Sequence, residues 1–215
     1  MIYFLKILIL LLSYLIGSIP FGLIISKIKK VDLREKGSHN IGAANAGRVL
    51  GKKYAALTFS LDTIKGALFV VLFRYNILPS SIMILSPSIY GLAACLGHTF
   101  SIFLKFKGGK GVATGAGCIF GYFPYLIPIA LIIFFLTVKI TRIAALGSLI
   151  SGIVITIYSS ILGVIAYDYI LNLNVDIYIT FVAIIIYILV IIKHIPNIKR
   201  IINKNENTVD KIVSQ

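Results

Sequence analysis

The chain has 215 residues, of which 59% are hydrophobic and only 13% are charged. Soluble domains carry about 25% charged residues, and a soluble core of this size could not bury so much apolar surface, so the composition excludes a soluble globular protein. Lys and Arg number 21 against 7 Asp and Glu, which gives a net charge of +14. Because these basic residues lie between long apolar runs, we attribute them to membrane topology and expect no nucleic-acid partner.

Apolar segments long enough to cross a bilayer recur along the chain. A helix needs about 20 residues to cross a hydrocarbon core of about 30 Å. The N-terminal apolar run is longer than that of a signal peptide and no A-x-A cleavage site follows it, so we predict a retained first span. The clear candidates are residues 4–26, 54–73, 82–101, 143–166 and 177–193.

Residues 112–138 could form one long helix or two short ones. Glycines and prolines, among them Gly121 and Pro124, favour a break near 121–124. With this break and an outer N-terminus, 18 of the 21 Lys and Arg residues lie on the inner side, as the positive-inside rule requires. The inner segments are then 27–53, 105–110, 139–142 and 193–215.

We therefore predict an all-α, polytopic membrane protein with seven transmembrane helices, some of them short. Its N-terminus would lie outside and its C-terminus in the cytoplasm. Residues 1–215 would form a single integral-membrane domain, and the Asn- and Lys-rich tail, residues 203–215, would be mobile.

The first inner loop concentrates polar side chains among small residues. It reads KGSHNIGAANAGRVLGKK over residues 36–53. Hydroxyl, amide and guanidinium groups on a pliable backbone are typical of an oxyanion or phosphate site. The alternative is a basic, topology-setting loop that touches lipid headgroups. The candidate residues are Ser38, Asn40, Gly42, Asn45 and Arg48.

The second inner loop is rich in glycine and precedes an apolar helix. Gly108, Gly109 and Gly111 surround Lys110, and successive backbone N–H groups there could form an anion-binding nest. This is not a Walker A loop, because Leu104 stands at its first glycine position and Gly111 replaces the Ser or Thr. An ordinary hinge is the alternative, and His98 could be an interfacial or a catalytic histidine.

The third basic segment follows the last predicted span. His194 and Asn197 are three residues apart and would share a helix face if the helix continues, which Pro196 makes doubtful. The alternative is a basic end to the span. Within the second span, Asp62 and Lys65 are spaced to form a structural ion pair. The sequence contains no cluster with metal-ligand spacing, so we expect no metal or other cofactor.

Short motifs recur along nearly the whole chain, namely GSIPFG (17–22), Ser38-x-Asn40-Ile41-Gly42, Asn45-x-x-Arg48, Asp62-x-x-Lys65-Gly66, Gly97-His98, FKGGKGVAT (106–114) and KHxxNIxR (193–200). In this order, they resemble the motifs of the PlsY family, the bacterial acyl-phosphate:glycerol-3-phosphate acyltransferases, over about residues 10–206. The family usually has Thr where Ala44 stands, Arg where Ile195 stands and Gly near Lys204, and none of these departures removes a predicted site residue.

The resemblance implies an enzyme of the bacterial inner membrane with its active site facing the cytoplasm. It would transfer an acyl group from fatty acyl phosphate to the 1-position of sn-glycerol 3-phosphate, giving lysophosphatidic acid and phosphate, the committed step of phospholipid synthesis. We expect a monomer, surrounded by membrane lipid and functionally coupled to the enzyme that makes acyl phosphate. The chain lacks the H-x-x-x-x-D motif of the other large class of glycerolipid acyltransferases.

The resemblance also assigns roles to the candidate residues. The proton of the attacking hydroxyl could pass to His194 or to a substrate phosphate, and we hypothesise direct transfer rather than acylation of Ser38. A transporter or channel for phosphate-type anions is the alternative function. The predicted catalytic residues are Ser38, Arg48, Lys110, His194 and Asn197, and the predicted substrate-binding residues are Asn40, Gly42, Asn45, His98, Gly108, Gly109 and Gly111.

Overall fold

A computed structural model describes residues 1–167 and 177–209. Most of the connection between the predicted spans 143–166 and 177–193, and the last six residues of the predicted mobile tail, lie outside this range. Within it the chain is mainly helical, with turns and loops between the helices. The helices are α1 (Ile2–Ser18), α2 (Phe21–Ile28), α3 (Ala43–Leu50), α4 (Lys52–Arg74), α5 (Pro87–Thr99), α6 (Val112–Tyr122), α7 (Leu126–Thr141), α8 (Ala144–Tyr167) and α9 (Tyr178–Ile202).

The prediction of an all-helical, multi-pass membrane protein is confirmed. Five helical segments in the described residues are long and apolar enough to cross a membrane: Ile2–Ile28, Lys52–Arg74, Pro87–Leu104, Ala144–Ile165 and Tyr178–Ile202. The helical structure is also interrupted between α6 and α7, at residues 123–125, where Pro124 cannot continue a helix. With 11 and 16 residues, α6 and α7 are only about 17 and 24 Å long.

The first span is bent, and side chains of the second and third spans close the bend. Backbone groups freed from a helix inside a bilayer need partners within the protein. Ser101 Oγ donates to the carbonyl of Ser18 at 2.6 Å, and Lys65 Nζ donates to the carbonyl of Ile19 at 2.7 Å. Lys65 Nζ also lies 2.8 Å from Asp62 Oδ1, and both side chains are almost fully buried. The ion pair expected from their spacing is therefore present and helps to hold the bend.

Helices α4 and α6 approach each other at glycines. A Cβ atom on Gly66 would overlap the Thr114 carbonyl, and one on Gly117 would overlap the Thr63 carbonyl. Small residues allow such backbone contacts between membrane helices. The close packing fixes α6, and therefore the glycine loop that precedes it, against the long helix α4.

The last span is longer than predicted, so the expected end at residue 193 is wrong. Helix α9 continues through Pro196 to Ile202. A proline in a helix removes one backbone hydrogen bond, and membrane helices tolerate that loss where neighbouring groups compensate. As a result His194 and Asn197 share one face of α9, and both are buried.

A Schellman turn ends α9 and reverses the chain. The N–H of Lys204 donates to the carbonyl of Ile201 at 3.0 Å, and that of Asn205 donates to the carbonyl of Arg200 at 2.9 Å. Lys204 therefore adopts a left-handed φ of +55°. The turn directs residues 205–209 back towards the bundle, where the Val209 N–H donates to the Arg142 carbonyl at 2.9 Å.

Replacing Lys204 by glycine is expected to stabilise the protein. A non-glycine residue in the left-handed region costs about 1–2 kcal/mol, and glycine adopts it without strain. Thermal unfolding in detergent should therefore shift upward by a few degrees. Lys199→Gly is the matched control, because this exposed lysine lies inside α9, where glycine destabilises a helix by about 1 kcal/mol. A midpoint for Lys204→Gly below that of the unmodified protein would contradict the assignment.

Candidate active site

The four basic segments predicted to share one side of the membrane meet at one end of the helix bundle. Arg48 Nη2 donates to the Asn207 carbonyl at 3.3 Å, which joins the first loop to the C-terminal segment. Lys110 Nζ donates to Asn197 Oδ1 at 2.6 Å and joins the glycine loop to α9. The backbone hydrogen bond from Val209 to Arg142 joins the segment after α7 to the C-terminal segment. The predicted grouping of these segments thus agrees with their contacts.

A buried carboxylate organises this end of the bundle. Glu206 is only 9% exposed and accepts hydrogen bonds from Asn197 Nδ2 and Arg200 Nε, both at 2.8 Å. Since Asn197 Oδ1 accepts from Lys110, a continuous chain of contacts links Lys110, Asn197, Glu206 and Arg200. With Arg48 close by, three cations surround one carboxylate, which leaves the cluster positively charged.

The cations of this cluster are partly removed from water. Burial lowers the pKa of Lys110 to about 8, Glu206 opposes the shift, and the charges of Arg200 and Arg48 add to it. Burial likewise lowers the pKa of Arg48, against the attraction of Glu206. Arg48 Nε is buried and has no hydrogen-bond partner among the residues described. Desolvated cations with unused donors are suited to a bound anion.

Asn45 holds the first loop in shape. Its Oδ1 atom accepts from the Ser38 N–H at 2.7 Å, and its Nδ2 group donates to the carbonyls of Leu33, Lys36 and Asn40 at 2.8–3.1 Å. Asn40 Oδ1 in turn accepts from the Gly42 N–H at 2.9 Å, just before α3 begins. These predicted substrate-binding side chains are thus engaged with the loop backbone, which positions Ser38 and Arg48.

The glycine loop differs from the predicted anion nest. The N–H groups of Gly108 and Gly109 donate to the carbonyls of Thr99 and His98, at 3.2 and 2.9 Å. These two amides are therefore engaged by the end of α5 and do not point towards an anion. Gly111 adopts a φ of +82° and caps the start of α6, so the amides that a helix start leaves without an intrahelical partner are here those of the first turn of α6.

His194 and His98 lie in different parts of the site. His194 is 2% exposed, and its Nδ1 lies 2.8 Å from the Val190 carbonyl. Because a carbonyl only accepts, Nδ1 carries the hydrogen and Nε2 is the acceptor in the neutral ring. It lies one turn before Asn197 on the same face of α9. His98 lies beneath the glycine loop, 6% exposed, with Nδ1 3.7 Å from Asp62 Oδ1.

The sequence motifs assigned no role to the central carboxylate. Glu206 is one of only seven acidic residues in the chain, and it lies in a segment otherwise rich in Lys and Asn. That rarity was the available signal. Arg200 was part of a recognised motif but had no assigned role. Among residues 1–167 and 177–209, no group of three or more His, Cys, Asp and Glu side chains could hold a metal ion.

Fold and site together define an integral, multi-pass membrane protein with a cationic centre at one end of its helices. The family described as glycerol-3-phosphate acyltransferase matches residues 7–204. The glycerol-3-phosphate acyltransferase of Bacillus subtilis is 41% identical over 204 residues, covering 94% of this chain and 96% of the relative. That of Streptococcus gordonii is 40% identical, covering 93% and 91%. The chain therefore belongs to the glycerol-3-phosphate acyltransferase family.

Solved structures agree with this membership. A crystal structure of PlsY (YgiH), described as an integral membrane glycerol 3-phosphate acyltransferase in its glycerol 3-phosphate form, superposes with a TM-score of 0.79 and 33% identity, covering 98% of this chain and 99% of that one. The lysophosphatidic acid form gives a TM-score of 0.76, with 94% of each chain covered. The resemblance of the sequence motifs to the PlsY family is thus confirmed over nearly the whole chain.

Proposed function

We propose that the protein transfers the acyl group of a fatty acyl phosphate to the 1-hydroxyl of sn-glycerol 3-phosphate, and releases lysophosphatidic acid and inorganic phosphate. One observation carries the proposal: Lys110, Arg48 and Arg200 converge around the Asn197–Glu206 pair at the basic end of a membrane bundle. The two described forms of the solved relative, with glycerol 3-phosphate and with lysophosphatidic acid, correspond to the acceptor and the product.

The chemistry requires little from the protein beyond cations and positioned donors. Acyl phosphate is a mixed anhydride with a good leaving group, so no strong protein acid is needed. The protein has to bring two phosphate anions together, stabilise the oxyanion of the tetrahedral intermediate and remove the proton of the attacking hydroxyl, which leaves with the released phosphate. Neither a metal nor another cofactor enters this scheme.

We assign these tasks to the described side chains as follows. Arg48, Lys110 and the first-turn amides of α6 bind phosphate oxygens, and the Ser38 hydroxyl adds a donor. His194 accepts the hydrogen of the attacking hydroxyl through Nε2, which its Nδ1 contact leaves unprotonated. Asn197 holds Lys110 in place, since its amide is shared between Lys110 and Glu206. The remaining predicted binding residues, Asn40, Gly42, Asn45, Gly108 and Gly109, shape the two loops.

We further propose seven crossings, an outer N-terminus and a cytoplasmic active site in the bacterial inner membrane, with the protein acting as a monomer beside its acyl-phosphate source. The pairing of α6 and α7 as two short crossings returns residues 139–142 to the basic end, where Arg142 meets Val209. The positive-inside rule then assigns that end to the cytoplasm.

Cysteine labelling tests this orientation. The two native cysteines, Cys95 and Cys118, are buried and free, so the unmodified protein should not react with a membrane-impermeant maleimide. Ser80→Cys, between α4 and α5, should be labelled in intact cells. Lys36→Cys, in the first basic loop, should be labelled only after the membrane is opened. Both positions are exposed, and the reverse pattern would contradict the assigned orientation.

Activity is expected to decline as the pH rises through about 8. Burial lowers the pKa of Lys110 to about 8, so the ammonium that attracts the substrate phosphate is lost above this pH. The ratio kcat/KM for glycerol 3-phosphate should therefore fall, while kcat should hold to higher pH, since bound phosphate favours the charged amine. In Lys110→Arg the guanidinium stays charged, and the alkaline decline should disappear from its residual activity. If the alkaline decline persisted in this variant, a group other than Lys110 would be its cause.

Proteoliposomes separate this enzyme from the alternative, an anion transporter. Vesicles containing the purified protein and labelled glycerol 3-phosphate are supplied with palmitoyl phosphate, and both the label released and the lysophosphatidic acid formed are measured. The proposal predicts labelled lysophosphatidic acid and no release of glycerol 3-phosphate above that of empty vesicles. Release without any lipid product would support transport.

A further inference from the structure

His98 is enclosed between a buried carboxylate and the glycine loop. Its Nδ1 atom lies 3.7 Å from Asp62 Oδ1. Its carbonyl accepts from the Gly109 N–H at 2.9 Å, and a Cβ atom on Gly109 would overlap the ring at Nε2. The residue therefore contacts the loop with both its backbone and its ring, directly before Lys110.

The carboxylate beside His98 is itself fixed. Asp62 pairs with Lys65 at 2.8 Å, and Lys65 is bound to the carbonyl of Ile19 in the bend of the first span. Ionisable side chains inside a membrane protein are expensive, and they commonly serve function. Lys65 and Asp62 help to hold the bend in the first span, and His98 takes no part in those contacts. The imidazole is left without a structural purpose except at its contact with the loop.

We propose that His98, packed against Gly109, is a positioning residue that sets where the glycine loop presents Lys110 to the substrate phosphate. The inference rests on the proposed function, because it assigns to Lys110 the binding of a substrate. It also replaces the expectation that His98 binds substrate itself, since a ring that is 6% exposed and lies against Gly109 acts through the loop.

Small movements at Gly109 would have large effects. Lys110 Nζ must reach Asn197 Oδ1 at 2.6 Å, across the gap between the loop and α9. A misplacement of about 1 Å in a catalytic arrangement costs about a hundredfold in rate. Filling the space between Gly109 and the ring should displace the loop, and removing the ring should let it relax.

The experiment compares His98→Ala, Gly109→Ala and the double variant, as full-length protein in detergent. His98→Ala is expected to lower kcat/KM for glycerol 3-phosphate about tenfold to a hundredfold. Gly109→Ala should lose more, because its methyl group meets the ring. The double variant should recover to the level of His98→Ala, since the methyl then has room. Losses that multiply in the double variant would overturn the proposal.

A control and a second readout separate positioning from general damage. Thr58→Val replaces a fully buried polar side chain of α4 that packs at Gly22. This variant should retain unmodified kinetics, and a loss equal to that of His98→Ala would overturn the proposal. In His98→Ala the alkaline limb of kcat/KM should move to higher pH, because the relaxed loop exposes Lys110 to water. The charged and titratable groups facing Lys110, namely Glu206, Arg200, Arg48 and His194, are unchanged in this variant, so an unmoved limb would also overturn it.

Binding of inorganic phosphate distinguishes failure of this inference from failure of the proposed function. Calorimetric titration needs no turnover. The affinity for phosphate should fall in His98→Ala and in Gly109→Ala, and should be restored in part in the double variant relative to Gly109→Ala. If the unmodified protein bound phosphate in this pattern without turning over, the acyltransferase proposal would fail and the positioning role would stand. Equal phosphate affinity in all variants would overturn the positioning role whatever the activity.

Discussion

Replacing Lys110 by methionine is expected to lower kcat/KM for glycerol 3-phosphate by about 10²–10³-fold without unfolding the helices. Loss of one preorganised donor in an active site costs about 3–4 kcal/mol in the transition state. Methionine keeps the length of the side chain but removes the charge and the bond to Asn197. Because burying this ammonium disfavours its charged form, the substitution should not lower the thermal midpoint. Steady-state kinetics with both substrates, together with thermal unfolding, test this expectation.

The control for Lys110 lies in the same loop. Lys107 is exposed, so Lys107→Met removes the same charge from the same surface while leaving the cluster intact. It should stay within about threefold of the unmodified protein, because exposed charges contribute little at short range. An equal loss in the two variants would mean that the loop acts only through its general positive potential.

Replacing Glu206 by alanine is expected to damage both stability and activity. Removing one partner of a buried ion pair costs about 3–5 kcal/mol, because the opposite charge remains without compensation. Here Arg200 and the Asn197 amide would lose their acceptor, and the cations at positions 48, 110 and 200 would repel one another. The midpoint of thermal unfolding should therefore fall by roughly 10 °C. Turnover should also fall, because the Asn197 side chain would no longer be held in place.

Two further variants separate charge from shape in this experiment. Glu206→Gln keeps an acceptor for Asn197 and should retain more stability than Glu206→Ala. Glu35→Ala removes an exposed carboxylate from the first loop and should change neither quantity. If Glu206→Ala unfolded at the same temperature as the unmodified protein, the carboxylate would not be the organising group of the cluster.

The membrane spans were predictable because the lengths of the apolar runs and the positions of the Lys and Arg residues between them are visible in the sequence. The break at Pro124 followed from proline chemistry together with the side assigned to Lys139 and Arg142. The same chemistry misled at Pro196, where α9 continues to Ile202. The cost of a proline inside a membrane helix depends on the neighbouring groups that compensate it, and the sequence does not contain those contacts.

The polar cluster was predictable in part as a set of residues and less so as a geometry. Arg48, Lys110 and Asn197 belong to motifs recognised in the sequence, but the central position of Glu206 depends on the turn at Lys204, which brings distant segments together. Likewise the amides of Gly108 and Gly109 were expected to face an anion, yet the end of α5 engages them. Such pairing is decided by tertiary contacts that no local pattern encodes.

The central claim is direct acyl transfer between two phosphate-bearing substrates at the Lys110–Asn197–Glu206 cluster. The most direct measurement is a two-substrate assay of the purified protein with palmitoyl phosphate and glycerol 3-phosphate, in which lysophosphatidic acid and phosphate are both quantified, with palmitoyl-CoA as the parallel donor. The account predicts equal amounts of the two products, from acyl phosphate only, and no change when a chelator is added. Turnover with palmitoyl-CoA, or phosphate release without lysophosphatidic acid, would contradict it.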